Sequence, residues 1–227
     1  MNMNLKEGFN SDASIKTYAG KNMLFDIEER IFETLKFKKD IKILDLWCGA
    51  GRTTFALLEK GFTDITAIDF SDRLIEVAQK KDSRTWNIFS VWDASNLGFD
   101  DEKFDLVFFS YNGIDYLPNR ELRLKAFSET QRVLKKGGSF LFSSHNRLCL
   151  PVNRNLLFTK IKNFYRIFSE YWYTKQSFWN IKTYYSNPYR LEKELIQFWF
   201  QKEKVFCNSD FFYPFLQTFP YYLYKKN

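Results

Sequence analysis

The chain has 227 residues, of which 45% are hydrophobic and 27% charged, and its formal net charge is +7. These values suit one substantial domain of an ordinary soluble protein and leave too little chain for two. No run of about 18 apolar residues occurs, so no membrane-spanning helix is expected, and the N-terminal sequence MNMNLKEGFNSD lacks the apolar core of a signal peptide.

The three cysteines, Cys48, Cys149 and Cys207, are widely spaced and form no CxxC motif. This spacing predicts neither a disulfide framework nor a zinc site, so we expect a protein without bound metal. Unpaired cysteines are typical of a reducing compartment, and the predicted location is therefore cytoplasmic.

From Ile41 onward, short apolar runs alternate with helical patterns, which predicts βαβ units around a parallel sheet. Residues 1–40 are expected to form a helical lead-in to this sheet. Five strands are predicted, at 41–46, 64–69, 85–90, 103–111 and 139–145. The fourth run is nearly all apolar, as a strand covered on both faces should be.

Helices are predicted between these strands. The first runs from about Arg52 to Lys60, and the second begins at Ser71, whose hydroxyl is suited to cap a helix. The third runs from Pro118 to Leu134, and the sequence KKGG that follows predicts a glycine cap at its end.

The last third of the chain is unusually aromatic, with 24 aromatic residues from Phe158 to Tyr224 against 21 before them. It is also locally basic, because six basic residues and one acidic residue lie between Pro151 and Tyr185. Such an excess indicates an acidic partner, which would be a phosphate, a nucleotide, an anionic lipid or RNA, or else a solvated helix face. Helical spacing is seen for Leu157, Ile161, Phe164, Phe168 and Trp172.

The C-terminal part predicts one more helix and two strands. Asn187 and Pro188 are suited to begin a helix that ends near Phe200, and strands are predicted at 203–208 and 221–226. The linker between these strands is too short for a parallel crossover, so the last strand should be antiparallel. The expected fold is therefore α/β and Rossmann-like, with a doubly wound, mainly parallel seven-stranded sheet and an antiparallel C-terminal strand.

Three acidic residues follow successive predicted strands at intervals of 24 residues: Asp45, Asp69 and Asp93. In an open α/β sheet, ligands bind beyond the carboxyl ends of the strands, where these side chains should lie. Gly49 and Gly51 permit a tight turn after the first strand. A carboxylate 18 residues beyond Gly51 is suited to accept hydrogen bonds from two ribose hydroxyls.

Five motifs in chain order, DLWCGAGR, AIDFS, VWDASNL, FDLVFFS and RVLKKGG, resemble those of the class I S-adenosylmethionine-dependent methyltransferases. The resemblance covers roughly residues 26–145. It implies a single methyltransferase domain over residues 1–227, with S-adenosylmethionine as cofactor and S-adenosylhomocysteine as product. It also implies that residues 146–185 form an inserted cap over the substrate.

The resemblance implies a role for each matching residue. The loop from Asp45 to Gly51, including Gly49, should line the methionine half of the cofactor, with Asp45 on its amino group. Asp69 should hold the ribose hydroxyls. The other expected cofactor contacts are Phe70 on the adenine ring, Asp93 and Ala94 at the adenine amino group, and Ser110, Tyr111 and Asn112 beside the sulfonium.

Trp47 is the departure from the family pattern, which most often has glycine at this place. An indole beside a sulfonium is compatible with binding, because aromatic faces attract cations. The alternatives are a functional cofactor site with an altered wall and a site that has lost its cofactor.

His145, the chain's single histidine, ends the fifth predicted strand beside the same cleft. Histidine is the side chain best suited to exchange a proton near neutral pH. We expect it either to take a proton from the acceptor or to hydrogen-bond a substrate or a loop. Tyr111, Asp115 and Tyr116, which follow the fourth strand, are further candidates for contacts with the acceptor, and Tyr111 for a catalytic role.

Three functions remain open at this point. The first is methyl transfer to an oxygen or nitrogen atom of a small molecule, such as a sugar, a nucleotide-linked compound or a secondary metabolite. The second is RNA methylation, with residues 151–185 contacting RNA. The same segment would otherwise rest on an anionic membrane and bring the site to a lipid-linked substrate. The third is a non-catalytic binding protein of the same fold. A nicotinamide-dependent dehydrogenase is disfavoured, because GAGRTT lacks the third glycine of that fingerprint.

Overall fold

The structure is a computed structural model that describes residues 3–148, 171–176, 179–207 and 218–227. Its helices are α1 (Met3–Phe9), α2 (Asp12–Ala19), α3 (Asp26–Leu35), α4 (Arg52–Glu59), α5 (Asp72–Lys81), α6 (Arg120–Val133) and α7 (Pro188–Ile196). Its strands are β1 (Lys42–Leu46), β2 (Asp64–Asp69), β3 (Phe89–Val91), β4 (Phe104–Phe109), β5 (Leu134–Ser143), β6 (Tyr171–Gln176), β7 (Trp179–Tyr184), β8 (Phe200–Phe206) and β9 (Tyr221–Lys226). Short 3₁₀ helices cover Ser83–Ile88 and Gly113–Tyr116.

Seven of these strands form one sheet in the order β3-β2-β1-β4-β5-β9-β8. The pairs among β1 to β5 are parallel, whereas β9 runs antiparallel to both β5 and β8. The predicted fold class, including the antiparallel last strand, is confirmed. Because Leu46 pairs with both Ile68 and Phe109, the carboxyl ends of β1, β2 and β4 meet at one edge of the sheet.

Alternate residues of β4 point to opposite faces of the sheet and pack in two different hydrophobic cores. Val107 and Phe109 of β4 pack on one face with Phe127 of α6, while Leu106 and Phe108 pack on the other face in the same cluster as α3 and α4. All four β4 residues are fully buried. The apolar sequence of β4 is thus explained by helices that cover both faces of the sheet.

Two expectations near the middle of the chain were wrong. The third strand is only Phe89–Val91, since Ser83–Ile88 forms a 3₁₀ helix. The sequence KKGG does not cap α6, which ends at Val133 because Leu134 adopts an extended conformation and pairs with Phe104. Gly137 instead lies within β5 at a φ of 72°, next to a register irregularity in the β4–β5 pairing.

The C-terminal elements differ from the prediction in their boundaries. Asn187 caps α7 as expected, its side chain accepting from the backbone of Tyr189, but the helix ends at Ile196. Phe200 is buried and begins β8, because its ring packs on Phe140 of β5.

The predicted helix with the apolar stripe from Leu157 to Phe168 lies outside the described residues, as does Cys149. Trp172 is described and belongs to β6, so it is not part of that helix. β6 and β7 form an antiparallel hairpin. Ile181 of this hairpin shares a buried cluster with Tyr116, which connects the hairpin to the end of β4.

Candidate functional site

A first cavity lies at the carboxyl ends of β1, β2 and β4. Its floor includes Trp47, Gly49, Asp69 and Ser110, and it is covered by side chains that precede β1, namely Phe9, Tyr18, Lys21 and Phe25. The cavity measures about 50 Å³. This volume is well below the several hundred Å³ typical of ligand pockets, so a nucleoside-sized ligand requires some of the covering side chains to move.

The loop after β1 is tightly turned. Trp47, Gly49 and Gly51 all have positive φ, at 64°, 56° and 85°. A Cβ on Gly51 would lie 2.6 Å from a ring carbon of Phe55, so a larger residue would not fit there. The turn brings the loop close to the end of β2. There the backbone N–H of Gly49 donates a hydrogen bond to Asp69.

Asp45 is fully buried beneath this loop. Its Oδ2 accepts a hydrogen bond of 2.6 Å from the hydroxyl of Thr54 and a second bond from Thr53, a residue that lines the first cavity. Its Oδ1 has no hydrogen-bond partner in the described part of the chain. Burial raises the pKa of Asp45 to about 6, although both threonine hydroxyls oppose the shift.

Asp69 lines the cavity at the end of β2. Its two oxygens accept hydrogen bonds of 2.8 Å from the backbone N–H groups of Gly49 and Ser71. Burial raises the pKa of Asp69 to about 7, and these two hydrogen bonds only partly offset the effect. The carboxyl group is therefore held in one orientation and is partly protonated near neutral pH.

Arg52, the residue after Gly51, forms a buried ion pair that sequence analysis missed. Its guanidinium donates to both oxygens of Glu28 in α3, at 2.6 and 2.8 Å, and to Ser110 Oγ at 3.3 Å. Tyr221 also donates to Glu28. Arg52 lines the first cavity together with Lys21, so two cations border it.

Some signals for these residues were present in the sequence. Arg52 stands inside the motif DLWCGAGR, and Glu28 occurs three residues before Ile31 on the apolar face of α3. An acid on an apolar face indicates a buried partner. The sequence offers no comparable signal for Tyr18, Lys21 or Phe25.

The Trp47 indole packs among aromatic side chains beside the first cavity. Its ring centroid lies 4.3 Å from that of Phe70, 5.9 Å from Phe109 and 6.1 Å from Phe9. It is nearly parallel to Tyr116, at 24° and 6.4 Å. The indole therefore fills space between the sheet and α1 while one part still borders the cavity.

Three of the residues expected at the adenine do not line the first cavity. Phe70 is buried and packs edge to face on Phe9. Asp93 accepts hydrogen bonds of 2.8 Å from the backbone and the hydroxyl of Ser95, and Ala94 is buried in the core beneath α6. The structure thus brings Trp47, Gly49, Asp69, Ser110 and Tyr111 together at the first cavity. The other residues expected at the cofactor do not line it: Asp45, Gly51, Phe70, Asp93, Ala94 and Asn112.

A second and larger cavity, of about 740 Å³, adjoins the ends of β4 and β5. Much of its wall is apolar, with Leu24, Ile27 and Phe219 among the lining residues. Asn112 and His145 also line it. The backbone N–H of Asn112 donates to Ser143 Oγ at 2.8 Å, and its buried Oδ1 has no hydrogen-bond partner among the described residues.

Asp115 and His145 form a hydrogen-bonded pair beside this cavity. His145 Nδ1 lies 2.7 Å from Asp115 Oδ2, which also accepts from the backbone N–H of His145 at 2.6 Å, while Ser144 Oγ donates to Asp115 Oδ1 at 2.7 Å. Asp115, which was expected to contact the acceptor, is fully buried, lines neither cavity and contacts His145.

The two cavities share three wall residues, Phe25, Tyr111 and Tyr116. Tyr111 is 43% exposed, has a φ of 52° and packs on Phe25 at 5.2 Å. The first cavity and the second therefore adjoin at these aromatic side chains. No group of three or more His, Cys, Asp or Glu side chains is placed to hold a metal ion in the part of the chain that the structure describes.

Comparison with known proteins gives a consistent result. Residues 43–138 match a family model described as a methyltransferase domain. The demethylmenaquinone methyltransferase of Staphylococcus epidermidis is 35% identical over 133 residues, which are 56% of this chain and 53% of that protein. The Staphylococcus aureus protein of the same name is 33% identical over 150 residues, 62% of this chain and 61% of that protein. The chain thus spans less than two thirds of the length of these curated relatives.

Solved structures resemble almost the whole chain in fold. A S-adenosylmethionine-dependent methyltransferase from Methanosarcina mazei superimposes with a TM-score of 0.69 at 19% identity, covering 90% of this chain and 98% of that one. The CcbJ methyltransferase from Streptomyces caelestis gives a TM-score of 0.70 at 12% identity, with 96% of both chains covered. At these identities the likeness concerns the fold alone. Within the described residues, no helix is long and apolar enough to cross a membrane.

Proposed function

We propose that this chain is a class I S-adenosylmethionine-dependent methyltransferase, and that it transfers a methyl group to an oxygen or nitrogen atom of a small, largely apolar molecule. The match of residues 43–138 to a methyltransferase-domain model supports the first part of this proposal. The observation that carries this proposal is the shared wall of the two cavities. A cofactor in the first cavity and an acceptor in the second would meet at Tyr111 and Tyr116. Methyl transfer depends mainly on such proximity.

The polar groups of the first cavity fit the two ends of this cofactor. Lys21 and Arg52 line the cavity and would face the carboxylate of the methionine part. Asp45 does not line the cavity, but its unpartnered Oδ1 lies beneath the loop that does, and it would accept from the amino group if the loop shifted. Asp69 would accept from the ribose hydroxyls with the lone pairs that Gly49 and Ser71 leave free. When bound, S-adenosylmethionine supplies an electrophilic methyl group on a sulfonium with a good leaving group.

Trp47 is accommodated by this arrangement. Its indole packs against Phe9, Phe70 and Tyr116 and borders the cavity without covering Gly49 or Asp69, which also line it. We therefore favour a functional cofactor site with Trp47 in its lining over a site that has lost its cofactor. A cation near this indole would be attracted by its face.

The second cavity suits a small acceptor better than a polymer. Its lining is rich in apolar and aromatic side chains, and the Asp and Arg residues that line it are Asp26 and Arg30. Relatives named for demethylmenaquinone support a small-molecule acceptor. The basic segment on which RNA or membrane contact depends, 151–185, falls largely outside the described residues, and no described contact favours either partner.

Calorimetry with S-adenosylmethionine and S-adenosylhomocysteine tests the cofactor assignment. We expect micromolar binding of both, strongly weakened in Asp69→Ala. Labelled methyl transfer to a panel of small hydroxyl and amine compounds, including demethylmenaquinone, then tests the acceptor class. Binding without transfer to any small acceptor, together with transfer to RNA, would favour the RNA alternative. An absence of binding to the parent that is restored in Trp47→Gly would favour the non-catalytic alternative.

A further inference from the structure

We infer that Asp115 and His145 act as one proton-accepting unit, with His145 as the catalytic base and Asp115 as its positioning residue, and that the acceptor is a phenolic compound methylated on its hydroxyl oxygen. This inference rests on the proposed function and extends it to the substrate class. It assigns Asp115 a role through His145, in place of a contact with the acceptor.

The hydrogen bonds around Asp115 determine which imidazole nitrogen carries the proton. Its Oδ2 is 2.7 Å from His145 Nδ1 and already accepts from the His145 backbone. With Asp115 ionised, its oxygens can only accept hydrogen bonds, which places the proton on Nδ1 of His145 and leaves the lone pair on Nε2. The same logic orients the histidine of hydrolase triads.

The His145 ring is held in place by its surroundings. Tyr185 and Phe219 pack on it with centroid distances of 4.9 and 5.0 Å, and Tyr116 lies at 6.3 Å. Its backbone carbonyl accepts from both the N–H and the hydroxyl of Ser186, at 2.7 and 2.9 Å. The side chain is 12% exposed and lines the second cavity, so a base in a fixed orientation faces the space assigned to the acceptor.

The groups that contact the His145 ring include one acid and two tyrosines. Asp115 is the acid in direct contact, and the neighbouring Tyr116 and Tyr185 have no charge when protonated. Asp26 and Arg30 line the same cavity. Burial raises the pKa of Asp115, while the hydrogen bond and charge of His145 oppose that shift. A proton gained at Nε2 would thus give the buried carboxylate a cationic partner.

The hydroxyl oxygen of the acceptor bonds to the methyl carbon, and the carbon–sulfur bond breaks with its electron pair remaining on sulfur. The hydroxyl proton passes to His145 Nε2, and the imidazolium later releases it to solvent. The products are a methyl ether and a neutral thioether. A neutral amine needs no such base before it attacks, which is why the pair favours a hydroxyl acceptor.

The aromatic lining specifies the hydroxyl as phenolic. Phe25, Tyr111, Tyr116 and Phe219 contribute rings to the second cavity, and the two tyrosines also border the cofactor cavity. Flat rings stack or pack edge to face on such walls. A planar acceptor could therefore present a ring hydroxyl between the shared wall and His145.

Because His145 is the chain's single histidine, ¹⁵N NMR of histidine-labelled protein reads its tautomer directly and needs neither cofactor nor acceptor. We expect the Nδ1–H form in the parent protein at pH 8. Asp115→Asn should shift the proton to Nε2, because the asparagine amide can donate to Nδ1. Ser144→Ala, which removes a different hydrogen bond to the same carboxylate, should keep the Nδ1–H form. An Nε2–H tautomer in the parent would overturn the inference even if methyl transfer were observed.

Kinetics test the catalytic consequence. Asp115→Asn and His145→Gln should lower kcat by about 100-fold or more, while calorimetry shows cofactor affinity within about twofold of the parent. The loss should shrink for nitro-substituted phenols, which are already ionised and need no base. If kcat fell equally for ionised and neutral phenols, Asp115 and His145 would have a merely structural role. A product methylated on a ring carbon would refute O-methylation. Failure of the parent to bind S-adenosylmethionine would instead refute the proposed function and leave the NMR result standing.

Discussion

The ring centroids of Trp47 and Phe70 lie 4.3 Å apart, so the residue that departs from the glycine usual at its position packs on the residue that follows Asp69. Both side chains belong to the buried cluster that joins α1 to the ends of β1 and β2. The indole therefore has a structural role beside any contact it makes with a ligand.

Replacing Trp47 by glycine or by alanine should destabilise the protein, because each removes the indole from four aromatic neighbours. The expected loss in the free energy of unfolding is about 3 kcal/mol. Since Trp47 has a φ of 64°, glycine should be the more stable replacement by about 1 kcal/mol. Urea unfolding of the two variants checks the order. An alanine variant as stable as the glycine variant would show that the loop relaxes out of the left-handed conformation.

Gly113→Ala should destabilise the protein, because Gly113 packs against Phe109 and Trp47. A Cβ there would lie 2.4 Å from a ring carbon of Phe109 and 2.8 Å from Trp47 Cγ. Such overpacking costs about 1–3 kcal/mol. Gly20→Ala is the matched control, since no atom lies within 4 Å of its added Cβ and its φ is −83°. Thermal unfolding should separate the two variants, and equal midpoints would contradict this packing.

Binding at the ribose end should depend on pH. Burial raises the pKa of Asp69 to about 7, and hydroxyls donate best to the ionised carboxylate, so affinity should fall as pH falls through that value. Between pH 8 and pH 6 we expect a loss of about tenfold. The suitable probe is methylthioadenosine, which lacks the amino-acid portion and its ionisation. Titration calorimetry would measure the effect, and Asp69→Asn should bind more weakly and without this pH dependence.

Glu28→Gln should cost about 3 kcal/mol of stability, because it leaves the guanidinium of Arg52 buried without its carboxylate. Arg52 contacts both oxygens of Glu28. Tyr221→Phe removes one hydrogen bond to the same carboxylate and should cost about 1.5 kcal/mol. Urea unfolding of both variants tests this order, which would be refuted if the glutamine variant were the more stable of the two.

The sequence predicted the parallel sheet well. The spacing of apolar residues, the length of the apolar runs and the position of the glycines each indicate strands and helices from neighbouring residues alone. The sequence prediction failed where the outcome depends on distant partners. Leu134 leaves α6 to pair with Phe104, 30 residues earlier, so no property of KKGG itself could show that these residues join β5.

Most of the predicted cofactor residues that line the first cavity stand within the sequence motifs. Gly49 and Asp69 both line the first cavity, and the hydrogen bond between them joins two motifs that were read separately. The covering residues Tyr18 and Phe25 carry no motif, because their position follows from how α2 and α3 pack rather than from local spacing. The pairing of Asp115 with His145 likewise joins residues 30 positions apart.

The layer formed by Phe25, Tyr111 and Tyr116 belongs to both cavities, so enzyme engineers cannot vary it for one ligand alone. Under the proposed function, a smaller side chain at any of these positions would admit a bulkier acceptor and would also weaken binding of the methyl donor. Substrate range is better broadened at positions that line only the larger cavity. The apolar positions of that kind are Met23, Leu24, Ile27 and Phe219.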